Sequence, residues 1–106
     1  MTKILDMTDI NFDKIVTEND KPVLVEFFAP WCGHCRAQAP VLKELADTSH
    51  NFVVGQVNID SNPKKALEYS ITGVPAFLIF KDGKIVDHKS GTHRLAELKN
   101  MVEKYV

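Results

Sequence analysis

Val23-Leu24-Val25-Glu26-Phe27-Phe28-Ala29-Pro30-Trp31-Cys32-Gly33-His34-Cys35 is the stretch that decides the fold. Its first six residues are apolar on both alternating faces, as a central strand covered by helices on either side requires. Glu26 is the one anomaly. After the short exit Ala29-Pro30 the chain reaches two cysteines separated by two residues, at the point where the next helix should begin. They are the only cysteines in the chain. That is the wrong economy for a disulfide-stapled secreted domain, so the pair is read as chemistry and not scaffolding.

Outward from this stretch, residues 52 to 59 (Phe-Val-Val-Gly-Gln-Val-Asn-Ile) and 76 to 80 (Ala-Phe-Leu-Ile-Phe) read as two more strands, rich in β-branched and aromatic side chains. Asp82-Gly83 tolerates the positive φ angles of a tight turn, so Lys84 to His88 should return antiparallel beside the strand before it. Near the start, Ile4-Leu5 is strand-like. Leu95, Leu98, Met101, Val102 and Tyr105 fall at helical spacing, and weaker stripes lie at Phe12, Ile15 and Val16, at Leu42, Leu45 and Ala46, and at Ala66, Leu67 and Ser70. Pro40 should kink the second helix. The expected order is βαβαβαββα. Helices of this length between strands imply parallel crossovers, with the last hairpin adding an antiparallel edge: an α/β fold, a central mixed sheet with helices on both faces.

The chain has 106 residues, 44% hydrophobic and 25% charged, with a formal net charge of −1. One domain, 1–106, is expected. Neither half carries a long run of one sign, so no footprint for nucleic acid or an anionic membrane is visible. The longest apolar stretches are interrupted by Glu26, Gly33 or Gly73, and no membrane span is expected. Met1 to Asp6 lacks the basic and then apolar segments of a secretory signal, and no retention sequence stands at Val106, which makes a cytoplasmic location the expectation.

A thiol at a helix N-terminus faces unpaired backbone N–H groups and the positive end of the helix dipole, which favour thiolate over thiol. Cys32 is therefore the expected nucleophile. Cys35, one turn further in, should stay protonated until it attacks a mixed disulfide on Cys32. An imidazolium at His34 would stabilise the Cys32 thiolate and make the couple more oxidising; alternatively His34 is a solvated side chain. A CxxC pair is also half of many zinc sites, but His50, His88 and His93 offer no second paired spacing, and no metal is expected. A purely structural disulfide would close too short a loop to stabilise much.

With Cys-Gly-His-Cys preceded by Val25 to Trp31 and followed by Gly73-Val74-Pro75 ahead of a strand, the chain resembles the thioredoxin family over essentially its whole length. Asn58-Ile59-Asp60 and Phe80-Lys81-Asp82-Gly83 look like a free-standing member, whereas Cys-Gly-His-Cys is like the active site of protein disulfide isomerase domains, since thioredoxins usually carry proline where His34 stands. The resemblance implies a cis Val74-Pro75 peptide facing the cysteines, with Val74 pairing to an extended substrate strand and Trp31, Gly73, Val74 and Ile59 forming an apolar docking surface. Trp31 as simple core packing stays open.

Glu26 shares a strand face with Leu24 and Phe28, where burial disfavours ionisation. The resemblance implies that it relays the proton of Cys35 as a general base. The family commonly pairs this acid with a lysine on the neighbouring strand; the corresponding residue here is Gln56. A carboxyl that reaches solvent at the strand end is the bland alternative. The reading is a thiol-disulfide oxidoreductase acting on disulfide-containing proteins through a reversible Cys32–Cys35 disulfide. It is expected to be a monomer with no bound cofactor, supplied with electrons from NADPH by a thioredoxin reductase. A disulfide oxidase or isomerase module, or a non-catalytic binding subunit using the same apolar surface, are the alternatives.

Overall fold

The apolar run Val23–Phe28 forms the middle strand of a five-stranded mixed sheet in this computed structural model, which describes residues 4–106. In chain order the elements are β1 (Leu5–Asp6), α1 (Phe12–Glu18), β2 (Val23–Phe28), α2 (Gly33–Asp47), β3 (Val53–Asn58), α3 (Pro63–Glu68), β4 (Ala76–Lys81), β5 (Lys84–Ser90) and α4 (Leu95–Glu103). The strands lie in the order β1-β3-β2-β4-β5. The βαβαβαββα order stands, with β1 one residue later and β3 one residue shorter at each end than the sequence suggests.

One expectation needs correcting. The first two helical connections are parallel crossovers, since β1 and β2 both run parallel to β3. The third is not, because β4 pairs antiparallel with β2, Ala76 opposite Phe27 and Phe80 opposite Val23. The reach of each helix against the strand it must retrace explains the difference. The seven residues of α1 reach about 10 Å, but they follow a two-residue β1 and have little sheet to recross. The 15 residues of α2 reach about 22 Å at 1.5 Å per residue, enough to return along a six-residue strand of roughly 20 Å. The six residues of α3 reach only about 9 Å, so the chain enters β4 from the end of the sheet where β3 stopped.

Strand alternation then sorts the side chains into two layers. On one face Leu24, Val54, Phe77 and Ile79 pack against Leu42, Leu45 and Ala46 of α2 and Leu98, Met101 and Val102 of α4. On the other, Val25, Phe27, Val57, Leu78 and Phe80 pack against Phe12 and Val16 of α1, with Tyr69 and Ile71 beyond α3. The stripe at Ala66, Leu67 and Ser70 is not a buried face: Ala66 is buried, but Leu67 is 82% exposed and Ser70 has left the helix with φ 56°. Instead α3 is held by polar groups. Its Lys65, buried among the side chains, bonds Asp13 and Glu68 at 2.8 Å each and lies over the Phe12 ring, and the Asp9 carboxylate accepts the backbone N–H groups of Lys64 and Lys65.

The Asp82-Gly83 turn has φ 54° and φ 78° and returns the chain into β5 as the sequence suggests. Pro40 lies inside α2. Among the described residues no helix is long and apolar enough to cross a membrane.

Candidate active site

At the C-terminal end of β2 the chain leaves the sheet through Ala29-Pro30 and starts α2 with Cys32 as its N-cap. The Cys32 sulfur accepts the backbone N–H of Cys35 at 3.2 Å, taking the place a serine or aspartate oxygen fills at most helix starts. A donor aimed at the sulfur from the positive end of a four-turn helix favours negative charge on it. On its other side the Cys32 thiol donates to the Val74 carbonyl at 3.6 Å. Both thiols are free. They are 7% and 4% exposed, so Cys35 is the more enclosed of two buried sulfurs. Burial first, then the hydrogen bond to Cys32 and the charges of Cys32 and Glu26, push the Cys35 thiol up to about 12; the Ala29 backbone works against this.

Val74-Pro75 is a cis peptide. It stands beside the cysteines, Val74 touching the small cluster of Ala29, Cys32 and Cys35 together with Phe28 and Ile59. His34, Val74, Pro75, Gly91 and Thr92 line a shallow groove of about 160 Å³. Its far wall is tied down twice. The Gly91 N–H bonds the Pro75 carbonyl at 2.9 Å, and the Gln38 side chain, fully buried on α2, exchanges hydrogen bonds with the backbone of His93 at 2.9 and 2.8 Å.

Trp31 is 66% exposed, which excludes a core-packing role. Its indole N–H donates to Asp60 at 3.2 Å, fixing the ring at the rim of the site. Gly33, His34 and Gly73 are exposed and Ile59 is half-buried. Gly33 opens α2 next to Cys32, and a Cβ there would meet nothing nearer than Arg36 at 3.7 Å.

Glu26 is 1% exposed, which rules out the alternative of a carboxyl reaching solvent. Burial raises it to about 7, partly offset by a hydrogen bond from the Gln56 amide to Oε1 at 2.9 Å. Oε2 has no partner among the described residues. Next to this pair a cleft of about 280 Å³ opens beside Cys35, with Gln56, Arg36 and Pro30 in its walls. Glu26, Gln56 and Cys35 thus converge under the site from β2, β3 and α2. Among the described residues no group of three or more His, Cys, Asp or Glu side chains is placed to hold a metal ion.

Sequence reasoning assigned no role to Asp60, Gln38, Gly91 or Thr92. Gln38 left a trace, a polar residue in the apolar series Cys35, Leu42, Leu45 on one face of α2. Asp60 acts through Trp31, 29 residues away in sequence, and Gly91 through the Pro75 carbonyl, contacts that no local pattern records.

The family model described as Thioredoxin matches residues 3–104. Curated relatives include thioredoxin 1 of Synechococcus elongatus, 44% identical over 101 residues with 94% of each chain covered. Another is the thioredoxin of Buchnera aphidicola subsp. Baizongia pistaciae, 39% identical over 104 residues, covering 97% of this chain and 95% of the relative. Among solved structures, a thioredoxin of Malassezia sympodialis (Mala s 13) superposes with a TM-score of 0.87 at 27% identity, covering 99% of this chain and 92% of that one. Likeness of this extent, joined to two neighbouring thiols at a helix start, places the chain in the thioredoxin family of thiol-disulfide oxidoreductases.

Proposed function

We propose that Cys32 is the nucleophile and Cys35 the resolving thiol of a protein-disulfide reductase, with Glu26 as the base that takes the Cys35 proton. The observation that carries this reading is the placement of the Cys32 sulfur as the N-cap of α2, bonded by the Cys35 amide and donating to the Val74 carbonyl.

In the first step the Cys32 thiolate attacks one sulfur of a substrate disulfide; the Cys32–substrate bond forms, the substrate S–S bond breaks, and its electron pair leaves on the second sulfur, which takes a proton from solvent. In the second, Cys35 gives its proton to Glu26 and attacks the Cys32 sulfur. The Cys32–Cys35 disulfide forms as the Cys32–substrate bond breaks; its electron pair leaves on the substrate sulfur, which takes a proton from solvent, and the substrate departs as a dithiol. The dithiol of the protein is oxidised by two electrons and the substrate disulfide is reduced by the same two. The Glu26 carboxyl, raised to about 7, titrates where a base for this transfer is most effective.

Trp31, Gly73, Val74, Pro75 and Ile59 form the docking surface. Val74 offers backbone groups to an extended substrate segment, while Gly33 and Gly73 let it approach closely. His34 is exposed, so water solvates its ring and weakens what it contributes at Cys32. That favours reduction over the oxidase or isomerase alternative.

Regeneration of the dithiol falls to a thioredoxin reductase using NADPH, and the protein works as a cytoplasmic monomer of one domain, carrying electrons in cell redox homeostasis. A dithiol used as a reductant has to be kept reduced, which suits a reducing compartment. The test is insulin reduction driven by dithiothreitol. Cys32→Ser and Cys35→Ser should each abolish catalysis, with Cys35→Ser accumulating a mixed disulfide on Cys32. Full activity in the double variant overturns the reading and leaves a binding subunit in its place.

A further inference from the structure

Glu26 has a divided carboxyl. Oε1 accepts the Gln56 amide at 2.9 Å, and Oε2 is buried without a partner among the described residues. A buried polar atom left unpaired is costly and calls for a reason. Gln56 belongs to two settings at once: it holds Glu26, its direct register partner on the neighbouring strand, and it forms part of the wall of the 280 Å³ cleft that also contains Cys35.

We propose that Gln56 is a positioning residue for the resolving step: its amide fixes Oε1 and so reserves Oε2 as the oxygen that takes the Cys35 proton. The proposal rests on Cys35 being the resolving thiol and Glu26 its base.

The surroundings make the amide the decisive neighbour. The register partners of Glu26 are Gln56 on β3 and Phe77 on β4, and neither carries charge. From α2 the titratable or charged groups on this side are Cys35 and Arg36, with Cys32 at the cap. The Arg36 guanidinium is turned to the Pro30 carbonyl at 3.1 Å, and His93 meets the edge of Phe77 on the side of α4. Gln56 is the side chain that donates to the carboxylate. Being neutral, it favours the ionised carboxylate enough to keep it available as a base, but far less than a cation in the same place would. The amide at position 56 therefore sets the pH at which Cys35 becomes competent.

The experiment is a stopped-flow reaction of the reduced protein with 5,5′-dithiobis(2-nitrobenzoate), which releases one thionitrobenzoate when Cys32 attacks and a second when Cys35 resolves the mixed disulfide. Each phase is followed against pH. In the wild type the second phase should show an inflection near 7. In Gln56→Met, of similar length but without the donor, that inflection should move up by roughly one pH unit, the effect of losing a hydrogen bond to an ionised group, and the second phase at pH 7 should slow about fivefold relative to the first. In Gln56→Lys the inflection should move down. A second phase with the wild-type inflection in both folded variants overturns the proposal, as does equal slowing of both phases. Glu26→Leu separates this from the underlying reading. If that variant abolishes the inflection while the Gln56 variants leave it in place, Glu26 remains the base and Gln56 has no part; if it leaves the inflection unchanged, the role of Glu26 itself is wrong.

Discussion

Glu26 and Gln56 stand opposite one another on the parallel strands β2 and β3, joined by a 2.9 Å hydrogen bond that satisfies one oxygen of a carboxyl only 1% exposed. The other oxygen is buried without a partner among the described residues, so what burial of this group costs depends on whether it is charged. Its consequences for stability are therefore separable from those of the surrounding core.

Burial lifts the Glu26 carboxyl from an ordinary 4.5 to about 7. The neutral form suits the folded state, so the stability it contributes is full below about 4.5 and is lost as pH rises through about 7. Glu26→Gln, which mimics the neutral acid, should match the wild type near pH 4.5 and be more stable at pH 8.5 by up to about 3 kcal/mol. Urea unfolding at the two pH values measures this. A variant equally stable or less stable at pH 8.5 contradicts the buried, strained carboxyl.

Cys35 is the deeper sulfur and its thiol is pushed up to about 12. Iodoacetamide at pH 7.5 should add a single carbamidomethyl group to the native protein, on Cys32, and two in urea. Peptide mass mapping reads the position. Modification of Cys35 at a comparable rate in the native state argues against its protonated, enclosed setting.

Phe77 lies opposite Glu26 on β4, is fully buried, and meets the edge of the His93 ring at a centroid distance of 5.9 Å. Phe77→Ala should cost about 3 to 5 kcal/mol through lost burial and the cavity left behind. Because His93 is also tied to Gln38, the same change should loosen the Gly91–His93 wall of the groove and weaken substrate binding. Denaturant midpoints and the KM for insulin are the measurements.

Gly83 sits at φ 78° in the hairpin turn, and a Cβ there would approach the Thr17 side chain to 3.3 Å. Gly83→Ala should destabilise by about 1 to 2 kcal/mol. Gly73→Ala, where a Cβ meets nothing within 4 Å, should change stability by less than about 0.5 kcal/mol. Paired thermal unfolding curves test the contrast.

The sequence made some of this architecture readable for definite reasons. Val23–Phe28 is apolar on both faces because β2 is flanked by strands and covered by helices, and Asp82-Gly83 marks a turn because few residues accept its backbone angles. The N-terminal placement of Cys32 on α2 was equally legible, since strand, exit and cysteine pair follow one another without a gap. The direction of β4 was not, because it depends on how far six residues of α3 can carry the chain and not on the pattern of β4 itself. Nor was the exposure of Leu67, since α3 is anchored by Lys65 and Asp9 and not by an apolar face. The bonds from Trp31 to Asp60 and from Gln38 to His93 are products of tertiary structure with no local signature.

The central claim, that Cys32 and Cys35 form a reversible couple poised for reduction, is tested most directly by equilibrating the protein against glutathione buffers and following Trp31 fluorescence beside the opening disulfide. With His34 exposed to solvent, a single two-electron transition is expected between about −230 and −270 mV, toward the value of about −270 mV typical of thioredoxin. A midpoint near about −200 mV or above would contradict the account, because His34 would then govern the couple and the protein would be better placed to oxidise or reshuffle disulfides than to reduce them.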